Sequence, residues 1–237
     1  MLALIFAGSN QLFAQDTITV KSESNIIDGS FIQPYTNKWQ VSTIDKNKKR
    51  SVVRIWTDYA QVLELDGVDY LHRVQDLYSP NMELQETWIN IVSKKNLLPR
   101  RFTSQNALGG LLNINFDLDK VVIQSNANQQ SYEPKIVNLP EVVYDWNLYG
   151  MLLIGLPFEE GEIYRIPYWS QSLESVDYVT ATIYGKEMIK TLSGELISTR
   201  KVNTNKGLTF WLTKEKPYVI QLELQKPDDS VLLWEML

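Results

Sequence analysis

Cysteine is absent from the 237-residue sequence, and histidine occurs once, as His72. The first absence excludes a disulfide framework, a thiol nucleophile, a zinc–thiolate site and an iron–sulfur cluster. The second excludes a multi-histidine metal cage and routes any Ser-His-Asp arrangement through one imidazole. There is no excess of positive charge either: 23 basic residues stand against 28 acidic ones, a formal charge of -5. That balance gives no bulk attraction to phosphate backbones, so nucleic acid is not an expected partner. After the first residues no stretch approaches the roughly 18 consecutive apolar residues of a spanning helix. No glycine-rich phosphate loop follows a strand and opens a helix, and no cofactor is expected.

What is present begins with Leu2-Ala3-Leu4-Ile5-Phe6-Ala7-Gly8, an apolar segment followed by Leu12-Phe13-Ala14-Gln15. This pattern reads as the end of a secretory signal peptide over residues 1–14, cut after Ala14. The apolar run is short and no Lys or Arg precedes it. The mature chain, residues 15–237, is expected to be exported to the periplasm, soluble, and without the cysteine that would carry a lipid anchor.

From about Ser30 to Ile123 the chain reads as strands separated by polar turns. Lys38 to Ile44 leads through Asp45-Lys46-Asn47-Lys48-Lys49-Arg50 into Val52 to Leu65, and Asp66-Gly67 is a two-residue hairpin signal before Val68 to Tyr78. Glu83 to Val92 and Leu97 to Phe102 flank Ser93-Lys94-Lys95-Asn96, and Gly109-Gly110 opens Leu111 to Phe116. In the middle, Asn138 is placed to cap a helix with Pro140 in its first turn and Glu141 three residues on. Val142, Trp146, Tyr149 and Leu153 recur at helical spacing, so one covering helix is predicted near 142–155, stopped by Pro157. Strands resume from Glu162 to the end of the chain. Tyr218, Ile220, Leu222 and Leu224 alternate with Gln221, Glu223 and Gln225, the period of a sheet wet on one face. Val92 to Leu98 also echoes Leu212 to Tyr218, each with a tryptophan shortly before it (Trp88, Trp211). The expected fold is mainly β: a single domain built on one curved antiparallel sheet, a half-barrel, with one covering helix.

Few residue patterns carry chemistry. Val68, Tyr70, His72 and Val74 share one strand face, and no Gly-x-Ser-x-Gly elbow accompanies the histidine, so His72 is expected in a core or cavity wall. Asn113, Asn115, Asp117 and Asp119 alternate without the glycine and terminal glutamate of a calcium loop, which favours a solvated strand face running into a turn and no metal. Glu159, Glu160 and Glu162 could offer a carboxylate pair for hydrolysis, with no second acidic cluster tied to them. Lys46, Lys48, Lys49 and Arg50 read as a charged hairpin tip that protects a sheet edge. The aromatic supply is rich, with seven tryptophans and twelve tyrosines, and Trp39, Trp56, Trp88 and Trp211 all fall in predicted strands. Such rings on a curved sheet can line an apolar cavity.

Three stretches together resemble a known family. They are Tyr144-Asp145-Trp146-Asn147-Leu148 with Leu156-Pro157-Phe158 and Gly161; Tyr184-Gly185-Lys186-Glu187 with Thr191, Gly194 and Thr199-Arg200-Lys201-Val202; and the run from Trp211 to Ile220. Over roughly residues 80 to 235 the chain resembles a domain-of-unknown-function family of exported bacterial envelope proteins, itself similar in fold to the LolA and LolB periplasmic lipoprotein carriers. The resemblance implies a curved antiparallel sheet closed by helices over an apolar cavity. It departs from LolB-like proteins in lacking the lipidated cysteine and in having fewer helices, and it carries no catalytic residues with it.

The favoured expectation is a periplasmic, non-enzymatic protein that binds a hydrophobic or lipid-like ligand, with Tyr70, His72, Trp88 and Trp211 as lining residues. An envelope protein–protein interaction or assembly module is the alternative, and a carboxylate-dependent hydrolase the third.

Overall fold

The computed structural model describes residues 16–127, 130–131 and 133–237. The expected signal segment, residues 1–14, lies outside them. The first strands are β1 (Thr17–Thr19), β2 (Tyr35–Ile44), β3 (Arg50–Leu65), β4 (Val68–Tyr78), β5 (Leu84–Ser93), β6 (Pro99–Asn106), β7 (Leu111–Phe116) and β8 (Lys120–Ala127). Three short strands follow, β9 (Gln130–Ser131), β10 (Lys135–Asn138) and β11 (Tyr144–Asp145), then the helix α1 (Gly150–Ile154). The chain ends in β12 (Ile163–Ser170), β13 (Ser175–Lys190), β14 (Leu196–Thr204), β15 (Leu208–Leu212), β16 (Val219–Gln225) and β17 (Val231–Met236).

Two antiparallel meanders, β2 to β8 and β12 to β17, are joined where β17 pairs with β2, from Val231 opposite Ile44 to Met236 opposite Trp39. The result is one large, curved, unclosed sheet with the C-terminal strand in its interior. At one end β8 is extended by β9 and β10. At the other, β1 and β11 add to β12 in the parallel sense, a pairing that the meander pattern did not suggest.

Local chemistry sets the turns. Asp66 and Gly67 both adopt positive φ, 54° and 75°, the conformation that joins two strongly twisted strands in two residues. The Asp45 carboxylate accepts from the backbone N–H of Asn47 and Lys49 at 2.9 and 2.8 Å, which shapes the charged tip before β3. Lys48 and Lys49 are exposed there, while Arg50 pairs with Glu235.

The helix α1 is shorter than its periodicity predicts. Lys135–Asn138 pairs with β8, and Tyr144–Asp145 lies beside Tyr168–Trp169, so Asn138 sits in a strand and caps nothing. Open sheet edges offer these backbone groups partners that a helix start would have lacked. The Asp145 carboxylate then caps a 3-10 turn at Trp146–Leu148, and Tyr149 breaks the path with φ 47° before α1 begins. All five residues of α1 are buried, and a Cβ on Gly150 would lie 2.6 Å from a Val219 methyl.

One face of the sheet is covered. On β4 the residues Leu71, Arg73, Gln75 and Leu77 are each at most 2% exposed, while Tyr70, His72 and Asp76 on the other face are half-buried. The cover consists of α1, the turn before it, and the segment after β1, which contributes Val20, Ile27 and Ile32 to the core.

Candidate functional site

The covered face is not uniformly apolar. Asp58 on β3 and Arg73 on β4 form a buried ion pair, with Arg73 Nη2 2.7 Å and Nε 2.9 Å from the two carboxylate oxygens. Tyr35 donates its hydroxyl to the same carboxylate at 3.3 Å, and Arg73 Nη1 donates to the Leu148 carbonyl at 2.6 Å. Burial, the largest single effect, would lower the guanidinium pKa, but the charge and hydrogen bonds of Asp58 together with those of the Tyr35 phenol outweigh it and hold Arg73 above its usual range. Burial likewise pushes the Tyr35 phenol well up.

One row along, Asn90 Nδ2 donates to Asp145 Oδ2 at 2.6 Å, tying β5 to the turn that carries Tyr149. Burial raises the Asp145 carboxyl to about 6, against the hydrogen bonds from Asn147 and Asn90 that favour its charged form. This polar row fixes the covering turn to the sheet. Its members alternate with aromatic residues along the strands, and those form the wall of a groove.

Trp56 is the hub of that wall. Its ring lies 5.6 Å from Trp88 at 74°, 5.9 Å from Trp234 and 6.2 Å from Tyr149, while Trp88 and Tyr149 stack at 6°. Val41, Val53, Leu224 and Leu232 extend the apolar lining, Arg54 and Lys226 add charge, and the groove, open on one side, has a volume of about 450 Å³. Deeper in, Trp56, Tyr149 and Trp234 also line a recess of about 20 Å³, together with Trp39, Arg73, Gln75 and Phe210. Positive φ at a bulky residue such as Tyr149 costs roughly 1–3 kcal/mol and persists where the surroundings over-determine it. A larger cleft, about 740 Å³, shares no residue with this groove. Lys38, Lys186, Glu195, Arg200, Lys214 and Glu215 line it, a wall that water solvates well, so the aromatic groove is the better site for an apolar guest.

Of the four lining residues expected from sequence, the groove takes Trp88. Tyr70 and His72 alternate with Leu71 and Arg73 and so project from the outer face of β4. Arg100 lies over the Tyr70 ring at 5.2 Å and donates to its hydroxyl at 2.9 Å. His72 Nδ1 is 3.3 Å from Gln61 Nε2, and burial lowers its pKa. Trp211 is buried but lies on the outer face of β15, where its indole donates to Glu187 at 2.7 Å and Lys201 lies over the ring. These three side chains do not line the groove, because adjacent strand positions point to opposite faces.

Trp56, one of the strand tryptophans able to line a cavity but not among the four expected lining residues, is in the groove. The residues missed in the sequence are Tyr149 and Trp234, with Asp58, Arg73, Gln75, Asn90 and Asp145 beneath or beside them. A usable signal existed for the polar ones: Arg73 and Gln75 continue the inward period of Leu71 and Leu77.

The three glutamates do not converge on a cavity. Glu159 and Glu160 are exposed, Glu160 pairing with Arg200 at 3.4 Å, and Glu162 accepts from the Tyr164 hydroxyl. Asn113 accepts from Thr103 at 2.8 Å and Asp117 pairs with Lys120. Among the described residues no three His, Asp or Glu side chains gather in a metal-holding group. No described helix is long and apolar enough to cross a membrane.

Comparison with the curated proteins finds no match. Among solved structures the chain is similar to a candidate lipoprotein from Parabacteroides distasonis, at 10% identity and TM-score 0.37 over 87% of this chain and 98% of that one. It is similar also to a candidate exported protein with a YmcC-like fold from Bacteroides fragilis, at 9% identity and TM-score 0.38 over 90% and 99%. At these TM-scores neither likeness transfers a function. The profile of DUF3108, a protein of unknown function, matches residues 61–231, from within β3 to the first residue of β17, and the chain belongs to that family.

Proposed function

We propose that this protein is an exported, non-enzymatic periplasmic binder of a hydrophobic or lipid-like ligand. The observation that carries the proposal is the groove walled by Trp56, Trp88, Tyr149 and Trp234 on the covered face of the sheet. Its mechanism is removal of hydrocarbon from water against aromatic and aliphatic side chains, about 0.8 kcal/mol for each buried CH₂ before the cost of association. Native mass spectrometry of gently purified protein is expected to show a bound apolar mass. A series of alkyl ligands should bind more tightly with each added carbon until the groove is filled. Protein that is consistently empty and indifferent to every chain length would sink the proposal. Its exported character is tested separately by N-terminal sequencing of the secreted form, with Gln15 expected first.

A second reading, an envelope interaction module, is favoured by one observation. The β13–β14 arm carries Met188, Leu192 and Leu196 at 59%, 42% and 62% exposure, apolar surface that a partner protein could cover. A pulldown that returns one stoichiometric envelope protein and no lipid would favour this reading over the first.

A further inference from the structure

Beneath the aromatic wall lie polar groups with nothing to bind. Gln75 is 1% exposed, and its Oε1 has no hydrogen-bond partner among the described residues. Trp39 and Trp56, opposite one another on β2 and β3, are 4% and 6% exposed, and their Nε1 donors are equally unpartnered. All three residues line the recess, which shares the rings of Trp56, Tyr149 and Trp234 with the groove. Leaving a buried donor or acceptor unsatisfied forfeits its hydration with nothing in return, so three around one recess call for a guest that supplies partners.

Charge and size narrow the guest. Among the described residues Arg73 is the only ionised side chain on the recess wall, and its charge is matched by Asp58 at 2.7 Å. An anion entering there would lose its hydration without meeting a free countercharge. The recess volume of about 20 Å³ suits one water-sized group and excludes a phosphate or sulfonate. A hydroxyl fits both limits, and it can donate to a carbonyl oxygen while accepting from an indole N–H.

We propose that the ligand is a long-chain alcohol or a lipid with a free hydroxyl, seated hydroxyl-first among Gln75, Trp39 and Trp56, with its hydrocarbon lying along the groove. This inference rests on the groove being the apolar-ligand site. The rings of Trp56, Tyr149 and Trp234 line both recess and groove, so the two adjoin, and the proposal has one extended molecule reach past these rings from one into the other.

The test uses the full chain stripped of lipid and titrated, with tryptophan fluorescence as readout, against 1-dodecanol, dodecyl methyl ether and dodecanoate. The ether keeps the oxygen acceptor and loses the donor; the carboxylate adds charge. The alcohol is expected to bind about 3- to 10-fold more tightly than the ether, the range one hydrogen bond provides, with dodecanoate weaker than the alcohol. In Gln75→Met the alcohol-to-ether ratio should fall toward one. Alcohol and ether binding with equal affinity to the unaltered protein would overturn the inference and leave the groove reading standing, the recess then holding no more than a water. No binding of any of the three would overturn both. The comparison on the unaltered protein decides the matter even where the Gln75 variant fails to fold.

Discussion

Arg73 and Asp58 sit at 2% and 0% exposure, so neither charge has water to fall back on. Removing one partner strands the other: Arg73→Met is expected to cost about 3–5 kcal/mol of unfolding free energy in urea titrations. The double replacement Arg73→Met with Asp58→Leu should cost clearly less, and equal losses in the two would show that the pair is not what the single variant breaks. Asp145 makes a prediction of opposite character. Its pKa is raised in the folded protein, so the native state holds the proton more tightly than the unfolded chain does. That contribution is complete below the ordinary aspartate value near 3.8 and is lost as pH rises through about 6. Relative to Asp145→Asn, the unaltered protein should therefore lose stability between pH 4 and 7. A constant difference in denaturation midpoint across that range would refute the assignment.

At the scale of elements, the two similar loop sequences form matching structures. Ser93 N–H donates to the Leu98 carbonyl at 2.9 Å, and Thr213 N–H to the Tyr218 carbonyl at 2.7 Å, each just after a bulge in the preceding strand. The lysine that follows reaches, in both cases, a backbone carbonyl of the covering chain: Lys94 to Ser30 and Lys214 to Leu156, both at 2.5 Å. The two hairpin tips thus clamp the cover onto the sheet. Gly29 lies under the first clamp, where a Cβ would stand 2.5 Å from the Lys94 carbonyl oxygen and from Leu97 Cδ2. Gly29→Ala is expected to destabilise by roughly 1–3 kcal/mol and to speed proteolysis within residues 20–34. Unchanged stability and cleavage would mean that the cover is not held there.

For the molecule as a whole, the sheet depends on a pairing between the chain's last strand and its first long one. Strand β17 lies between β16 and β2, with Leu222 and Val41 both opposite Trp234. Truncation before Val231 would remove an interior strand and one wall of the groove at once. Loss of the cooperative unfolding transition and of ligand binding together is expected; a truncated chain that still unfolds cooperatively would show that the two meanders are independent. Trp234→Ala is the milder probe. It should weaken binding of an alkyl ligand about 10-fold or more, as expected for an aromatic ring at the centre of a contact, with the midpoint of thermal unfolding moving only a few degrees.

Strand positions, hairpins and the wet outer face could be read from the sequence because they follow from local causes: Asp66-Gly67, the alternation in Leu222 to Gln225, the charged tip from Asp45 to Arg50. The β17–β2 join was not among them, and a bulge puts Val219 rather than Ile220 on the core face. The groove could not be read there either. Trp88 and Trp211 occupy equivalent places before two similar loops, yet Trp88 faces the cover and Trp211 faces Glu187 and Lys201 on the other side. A strand's period places residues on two faces without saying which one will be covered. The helix is shorter than its periodicity predicts for a related reason, since Lys135–Asn138 and Tyr144–Asp145 answer to free sheet edges supplied by β8 and β12. By itself the sequence determined that the chain makes an antiparallel sheet and excludes thiol, multi-histidine and phosphate-loop chemistry. Only the tertiary structure decided which face is covered, which rings meet there and which polar groups are left unpaired beneath them, because those outcomes depend on contacts between residues far apart in the chain.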